Sequence, residues 1–132
     1  MSHLFDLRVY YEDTDFGGIV YYANYLKFIE RARSEMVRDM GIDQRQMKEA
    51  GVVFAVRRVE ADYIAAALYD DQLQVRTRIG AMTAARVVFE QDVWRGDQKI
   101  FAAQVTVVCI GANGQPTRLP AMIRRNLPQT HS

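Results

Sequence analysis

The sequence predicts an α+β fold, with one long helix packed against a mostly antiparallel sheet of five strands. Three observations predict it. Apolar residues recur at three- and four-residue steps along one long stretch, from Tyr25 to Met40. From Val52 onward the pattern becomes a two-residue alternation, the mark of strands with one buried face. The short turn GDQ then separates two such runs, which makes them an antiparallel hairpin. A chain of 132 residues suits one compact domain, residues 1–132, which can bury roughly two thirds of the surface its unfolded form exposes.

Leu4 to Tyr11 reads as the first strand. The helix follows a glycine-bearing connection: Tyr25, Phe28, Ile29, Ala32, Met36 and Met40 form its buried stripe, and charged residues such as Glu30, Arg31, Arg33 and Arg38 fill the other positions. Asn24 is the expected N-cap, since its side-chain oxygen can accept from a free first-turn amide, and Gly41 suits the left-handed residue past the end. Asp43 to Ala50 is expected to form a second, short helix. Val52 to Ala67 reads as a long, bent strand. Leu73, Val75, Thr77 and Ile79 give the next one its buried face, and Ala84 to Arg95 with Lys99 to Ile110 form the hairpin. The tail from Gly111 holds three prolines and a short helical signal at Ala121 to Asn126. The runs VVFAV and FAAQVTVV imply strands buried on both faces or at a subunit contact, so self-association is expected.

Net charge is +1 with acids and bases interspersed, so no field points to nucleic acid or an anionic membrane as the partner. The N-terminus lacks the pattern of a signal peptide, and no segment reaches the roughly 18 apolar residues of a membrane span. A cytoplasmic protein is expected. The one cysteine, Cys109, sits in an apolar run where a buried, inert thiol is the ordinary outcome.

The chemistry concentrates in EDTDFGGIVYYANY, residues 12 to 25. The two histidines, His3 and His131, fall near the chain ends and are expected to fray, which disfavours Ser-His, Cys-His and His-metal sites. What remains is carboxylates, and Glu12, Asp13 and Asp15 are the densest group ahead of a helix. Capping and the helix macrodipole alone would select acids there, at about 0.3 to 1 kcal/mol each. A calcium loop fails, because Gly17 replaces a ligand and Asn24 stands where a closing glutamate belongs. A phosphate loop fails for want of its spacing and its lysine, and neither a metal nor a redox cofactor is implied. An acyl-transfer arrangement survives. Asp15, ionised at neutral pH, can attack an activated carbonyl or take a proton from water, while free amides at the helix start hold the oxyanion. Gly17 and Gly18 would let the backbone turn close to a substrate.

At these residues the sequence resembles the hotdog-fold acyl-CoA thioesterases, specifically the 4-hydroxybenzoyl-CoA thioesterase family and its branch associated with the Tol-Pal envelope system. The matching run is RVYYEDTDFGGIVYYANYLKFIERAR, residues 8 to 33, with weaker agreement in YDDQLQVRTRI, residues 69 to 79, and in RLPAMIRRNL near the end. The resemblance implies a hotdog fold, a central helix wrapped by the sheet, and hydrolysis of acyl-CoA or acyl carrier protein thioesters. It places the catalytic aspartate on Asp15 and the carbonyl-polarising amide on Tyr22, where members of the closest branch often carry histidine. It also places substrate contacts at Gly18 and Val20, with CoA contacts at Thr83 and Arg86. It further implies a homodimer with two sites at the subunit boundary, paired into a homotetramer.

Three rival readings stand beside it. Glu30 could serve as a helix-borne catalytic acid, although Arg31, Arg33 and Ser34 beside it favour a structural ion pair. A non-catalytic acyl-thioester binding or scaffolding module of an envelope-associated complex would be stabilised by ligand without releasing thiol. A hotdog dehydratase would need a histidine near its substrate. The tripeptide RGD at Arg95 to Asp97 reads as a hairpin turn.

Overall fold

The computed structural model describes residues 2–121. Strand β1 (His3–Arg8) leads through a 3-10 turn (Tyr11–Asp13) to helix α1 (Asn24–Asp39) and the short helix α2 (Gln44–Glu49). Strands β2 (Val53–Tyr63), β3 (Gln72–Met82), β4 (Arg86–Arg95), β5 (Gln98–Ile110) and β6 (Pro116–Thr117) complete the order. All pairings are antiparallel, in the order β1-β3-β4-β5-β2, with β6 added to β5. The sheet thus has six strands rather than five. The extra one is two residues long, too short to display an alternation.

Helix α1 packs on this sheet against β1, β3 and β4. Its stripe is the one the periodicity marks, with Val37 added and Met40 only half-buried. Phe28, Ile29 and Met36 are each 1% exposed, and removal from water contributes about 1.5–3 kcal/mol for each. From the sheet, Val75, Ile79, Val87, Phe89, Phe101, Val105 and Val107 join the same core. The run FAAQVTVV is buried on one face only in the single chain: Phe101, Ala103, Val105 and Val107 are buried while Gln104 is exposed. One polar stitch crosses the core. Fully buried Gln91 donates to the Ile29 carbonyl at 2.8 Å and to Thr77 Oγ1 at 2.9 Å, and it accepts from Arg33 at 3.0 Å.

Strand β2 bends at a register shift between Val56 and Arg58, as its length implies. Among the described residues it pairs with β5 alone, which leaves its other edge open, and Val53, Val56, Val59 and Tyr63 along it are exposed. Gly41 does take the left-handed conformation, with φ of 83°. Asp43 caps α2 by accepting from the amides of Arg45 and Gln46.

Two expectations are corrected. Asn24 is not the N-cap of α1: Ala23 holds that position, and the Asn24 side chain instead donates to the Asp13 carbonyl at 2.9 Å. The capping rule assumes that a polar side chain folds back on its own helix, whereas here a carbonyl from the preceding loop lies within reach. His3 is not frayed either. It lies in β1, half-buried, with Nε2 2.9 Å from Asp39 Oδ2 at the far end of α1. The helical signal at Ala121 to Asn126 lies outside the described residues beyond its first residue. No helix among the described residues is long and apolar enough to cross a membrane.

Candidate active site

Between β1 and α1 the chain makes a small hydrogen-bonded loop. Asp13 is its joint: its carboxylate accepts from the Tyr10 amide at 2.8 Å, and its carbonyl accepts from the Tyr21 amide at 2.9 Å as well as from Asn24. Thr14 pairs with Val20, the Asp15 amide donates to the Ile19 carbonyl at 2.9 Å, and the Gly18 amide returns to the Asp15 carbonyl at 3.0 Å. This tight turn explains the paired glycines. Gly18 has φ of 83°, a region that strains other L residues. Gly17 donates its amide to Asp15 Oδ1 at 2.8 Å, and a Cβ there would stand 3.2 Å from that same oxygen. One glycine supplies conformation and the other supplies room for the carboxylate.

The turn is backed by a third extended piece. Ile19 pairs with Leu68, and the Val20 amide donates to the Ala67 carbonyl at 2.9 Å. Residues 14–15, 19–20 and 67–68 therefore form a miniature ladder. The Ala67 amide in turn donates to the Tyr25 hydroxyl at 3.1 Å, which joins the ladder to the first turn of α1.

At the start of α1 the amides of Tyr22 and Ala23 have no partner among the described residues. No side chain caps this end, and its first turn holds no acid. The positive end of a sixteen-residue helix is therefore open to an anion. The Tyr22 carbonyl accepts from the Tyr63 hydroxyl at 3.0 Å. Because that carbonyl and the Ala23 N–H share one peptide plane, they point opposite ways, and Tyr63 fixes both. Burial pushes the Tyr63 hydroxyl above its ordinary pKa, with the neighbouring Tyr22 and Tyr25 acting in the same sense, so it remains a donor at neutral pH. Edge-to-face contacts of Tyr63 with Tyr22, Tyr25 and Phe101 hold the ring.

Of the residues expected at the site, the structure places Asp15, Gly18, Val20 and Tyr22 in this one loop and helix entrance. Val20 is buried, whereas Asp15, Gly18 and Tyr22 are exposed. Thr83 and Arg86 are not brought here. They form the β3–β4 turn, where Thr83 Oγ1 accepts from the amides of Ala85 and Arg86. The length of β3 separates them from the ladder, about 33 Å at 3.3 Å per residue. Phe16 is fully exposed, and Tyr22, Tyr63, Ile64 and Leu68 are exposed apolar side chains as well. A separate cleft of about 280 Å³ lies farther along α1, bordered by Arg33, Phe54, Val56 and Phe89.

Other candidates resolve into packing. Glu30 accepts from Ser34 Oγ at 2.7 Å. Arg33 is desolvated, which lowers its pKa against the opposing effect of Glu30, and it serves Gln91. Cys109 is fully buried, and burial raises its thiol to about 11. Arg58 pairs with Glu60. The arginine of RGD turns back to bind the Ala66 carbonyl, Asp71 and Gln98. Sequence reasoning missed Ala23, whose contribution is a backbone N–H; it marks Tyr63 as a pocket residue with Phe16, Tyr21, Tyr22 and Phe54, but not its bond to the Tyr22 carbonyl, a contact across 41 positions.

The model of the thioesterase-like superfamily matches residues 9–127. The chain belongs to that superfamily. Members of the thioesterase-like superfamily similar to it include the acyl-CoA thioester hydrolase YbgC of Escherichia coli O6:H1, 40% identical over 119 residues and 89% of each chain. The acyl-CoA thioesterase YbgC of Haemophilus influenzae is 42% identical over 107 residues, 80% of this chain and 79% of that one. A probable thioesterase from Bartonella henselae has a similar crystal structure, with a TM-score of 0.87 at 39% identity, covering 91% of this chain and all of that one. A hypothetical protein from Aquifex aeolicus, at 24% identity and a TM-score of 0.90, covers 95% of this chain and 98% of its own and shares the fold. The fold is the hotdog fold, and the chain is a thioester hydrolase.

Proposed function

We propose that the protein hydrolyses acyl-CoA thioesters, with Asp15 as the reacting carboxylate and the Tyr22 amide polarising the acyl carbonyl. The observation that carries this reading is the pairing of one loop with one helix end. Asp15 Oδ1 is held by Gly17, its Oδ2 has no partner among the described residues, and the loop is tied through Asp13 to a helix entrance with unpaired amides.

Two routes use these groups. In one, an Asp15 oxygen adds to the thioester carbon, the oxyanion is held by main-chain N–H donors, and collapse expels the thiolate to leave a mixed anhydride. Water then cleaves the anhydride, restoring the carboxylate and releasing the acid. In the other, Asp15 takes a proton from water as the oxygen adds to the carbonyl, and returns that proton to the departing thiolate. Gly18 and Val20 border the reacting carbon in either route.

The exposed position of Asp15 and the open edge of β2 support a site completed by a second copy. Pairing of two β2 edges would cover Val53, Val56 and Val59, and would let Thr83 and Arg86 of the other protomer meet CoA. A homodimer is the minimal unit under this reading, and pairing of dimers gives a homotetramer. The whole chain, 1–132, acts as one domain in the cytoplasm, within the Tol-Pal-associated branch. Acyl-CoA is the primary substrate and acyl carrier protein the alternative carrier. An Asp15→Asn variant assayed for thiol release tests the assignment: a loss of one to several powers of ten in kcat is expected, and undiminished turnover would overturn it.

A further inference from the structure

The miniature ladder that presents Asp15 ends on a segment, residues 66–71, that lacks regular structure of its own. Left free, such a segment would fluctuate and carry the ladder with it. Its end at Asp70 and Asp71 is bonded to Val9 and, through an exposed ion pair, to Arg8, while a second, half-buried ion pair reaches residues 66–68. Asp71 Oδ2 accepts from the Leu68 amide at 2.9 Å and from Arg95 Nη1 at 2.8 Å. The same Arg95 Nη1 donates to the Ala66 carbonyl at 3.0 Å, and its Nη2 donates to Gln98 Oε1 at 3.0 Å. The two side chains are only 29% and 23% exposed, so water screens them little.

Arg95 belongs to the last residue of β4, and Gln98 to the first of β5. The guanidinium therefore anchors the loop to the rigid central hairpin of the sheet. From there the connections run one way: Asp71 fixes the Leu68 amide, Leu68 pairs with Ile19, Ala67 accepts from Val20, and the Ile19 carbonyl accepts from the Asp15 amide. Neither Arg95 nor Asp71 is in the Asp15 turn or at the helix entrance, so neither is expected to touch substrate.

We propose that the Arg95–Asp71 pair is a positioning clasp for the reacting carboxylate, holding residues 66–68 so that the 14–20 turn keeps Asp15 aligned with the α1 amides. This inference rests on the assignment of Asp15 above. A shift of about 1 Å in a reacting group can lower a rate about a hundredfold, so loss of the clasp should act on kcat more than on KM.

The test uses the full chain and, from a panel of short-chain, long-chain and aromatic acyl-CoAs, the thioester that the wild-type protein turns over fastest. Arg95→Met is expected to lower kcat at least about tenfold while KM stays within about threefold, at a temperature where calorimetry shows the variant folded. Arg95→Lys, which keeps the charge and one donor, should recover a third or so of the wild-type kcat. In an Asp15→Asn background, adding Arg95→Met should change the residual rate by less than about twofold, because the clasp acts through that carboxylate. A general structural role would lower the residual rate in proportion. Should Arg95→Met fail to fold, Asp71→Asn is read by the same criteria. Unimpaired kcat in the clasp variants, beside a strong loss in Asp15→Asn, overturns the clasp and leaves the catalytic assignment standing. Full turnover in Asp15→Asn overturns both.

Discussion

Replacing Gln91 with leucine tests whether the polar stitch across the core contributes to stability. The substitution nearly conserves volume, so little cavity opens. It removes two hydrogen bonds between neutral groups, to the Ile29 carbonyl and Thr77, and one to the Arg33 guanidinium. At about 1 kcal/mol for each neutral bond and about 1.5–3 kcal/mol for the charged one, the loss is about 3–5 kcal/mol. Each kcal/mol should shift the midpoint by about 3–5 °C in a chain of this size, so Tm should fall by roughly 10–25 °C. Differential scanning calorimetry reads the shift, and urea titration should give the same loss with an unchanged m-value. Thr77→Val removes a single neutral bond and should lower Tm by only about 3–5 °C. A Gln91→Leu protein melting within about 4 °C of wild type, or a Thr77→Val protein as unstable as it, would refute the account of the stitch.

Other outcomes follow from single contacts. In Gly17→Ala the new Cβ meets Asp15 Oδ1 at 3.2 Å, so the carboxylate must move by a few tenths of an ångström; kcat should fall about threefold to tenfold with Tm nearly unchanged. At Gly18→Ala nothing lies within 4 Å, but φ of 83° is strained, so the variant should lose about 1–2 kcal/mol in a denaturant titration. With its thiol raised to about 11 by burial, Cys109 should react with an aromatic disulfide reagent at pH 8 only when the chain unfolds; fast native-state labelling would contradict its packing. Burial alone would raise Asp71, but the Leu68 amide and the Arg95 guanidinium outweigh it and hold its carboxyl below the ordinary 3.8. A depressed folded pKa gives stability that is present above the unfolded value and lost as pH falls through the folded one. The stability gap between wild type and Asp71→Asn should thus be full above about pH 5 and close in acid, as denaturant titrations at several pH values would read.

The parts legible in the sequence were those whose signal repeats. The stripe from Tyr25 to Met36 and the alternation of Leu73, Val75, Thr77 and Ile79 appear where the periods placed them, because burial on one face acts at every turn or second residue. The candidate turn was legible through composition: a positive φ at Gly18 and space beside Asp15 at Gly17 both require glycine. What was not legible depends on contacts distant in sequence. His3 looked like a loose end until Asp39 met it across 36 positions, and Arg95 looked like part of a generic turn until the 66–71 loop folded onto it. The unpaired Tyr22 and Ala23 amides leave no trace in residue type, since any non-proline residue carries the same N–H.

The open flank of β2 bears on how damaged versions of this protein would fail. Its row of main-chain groups, unpaired among the described residues and lying beside Val53, Val56, Val59 and Tyr63, is a template on which an extended chain can add. If two copies pair along β2 as proposed above, a substitution that spoils that pairing would produce turbidity and pelleted material rather than a well-behaved small species. Solubility in crude extracts would then register the integrity of this flank before any enzymatic readout does.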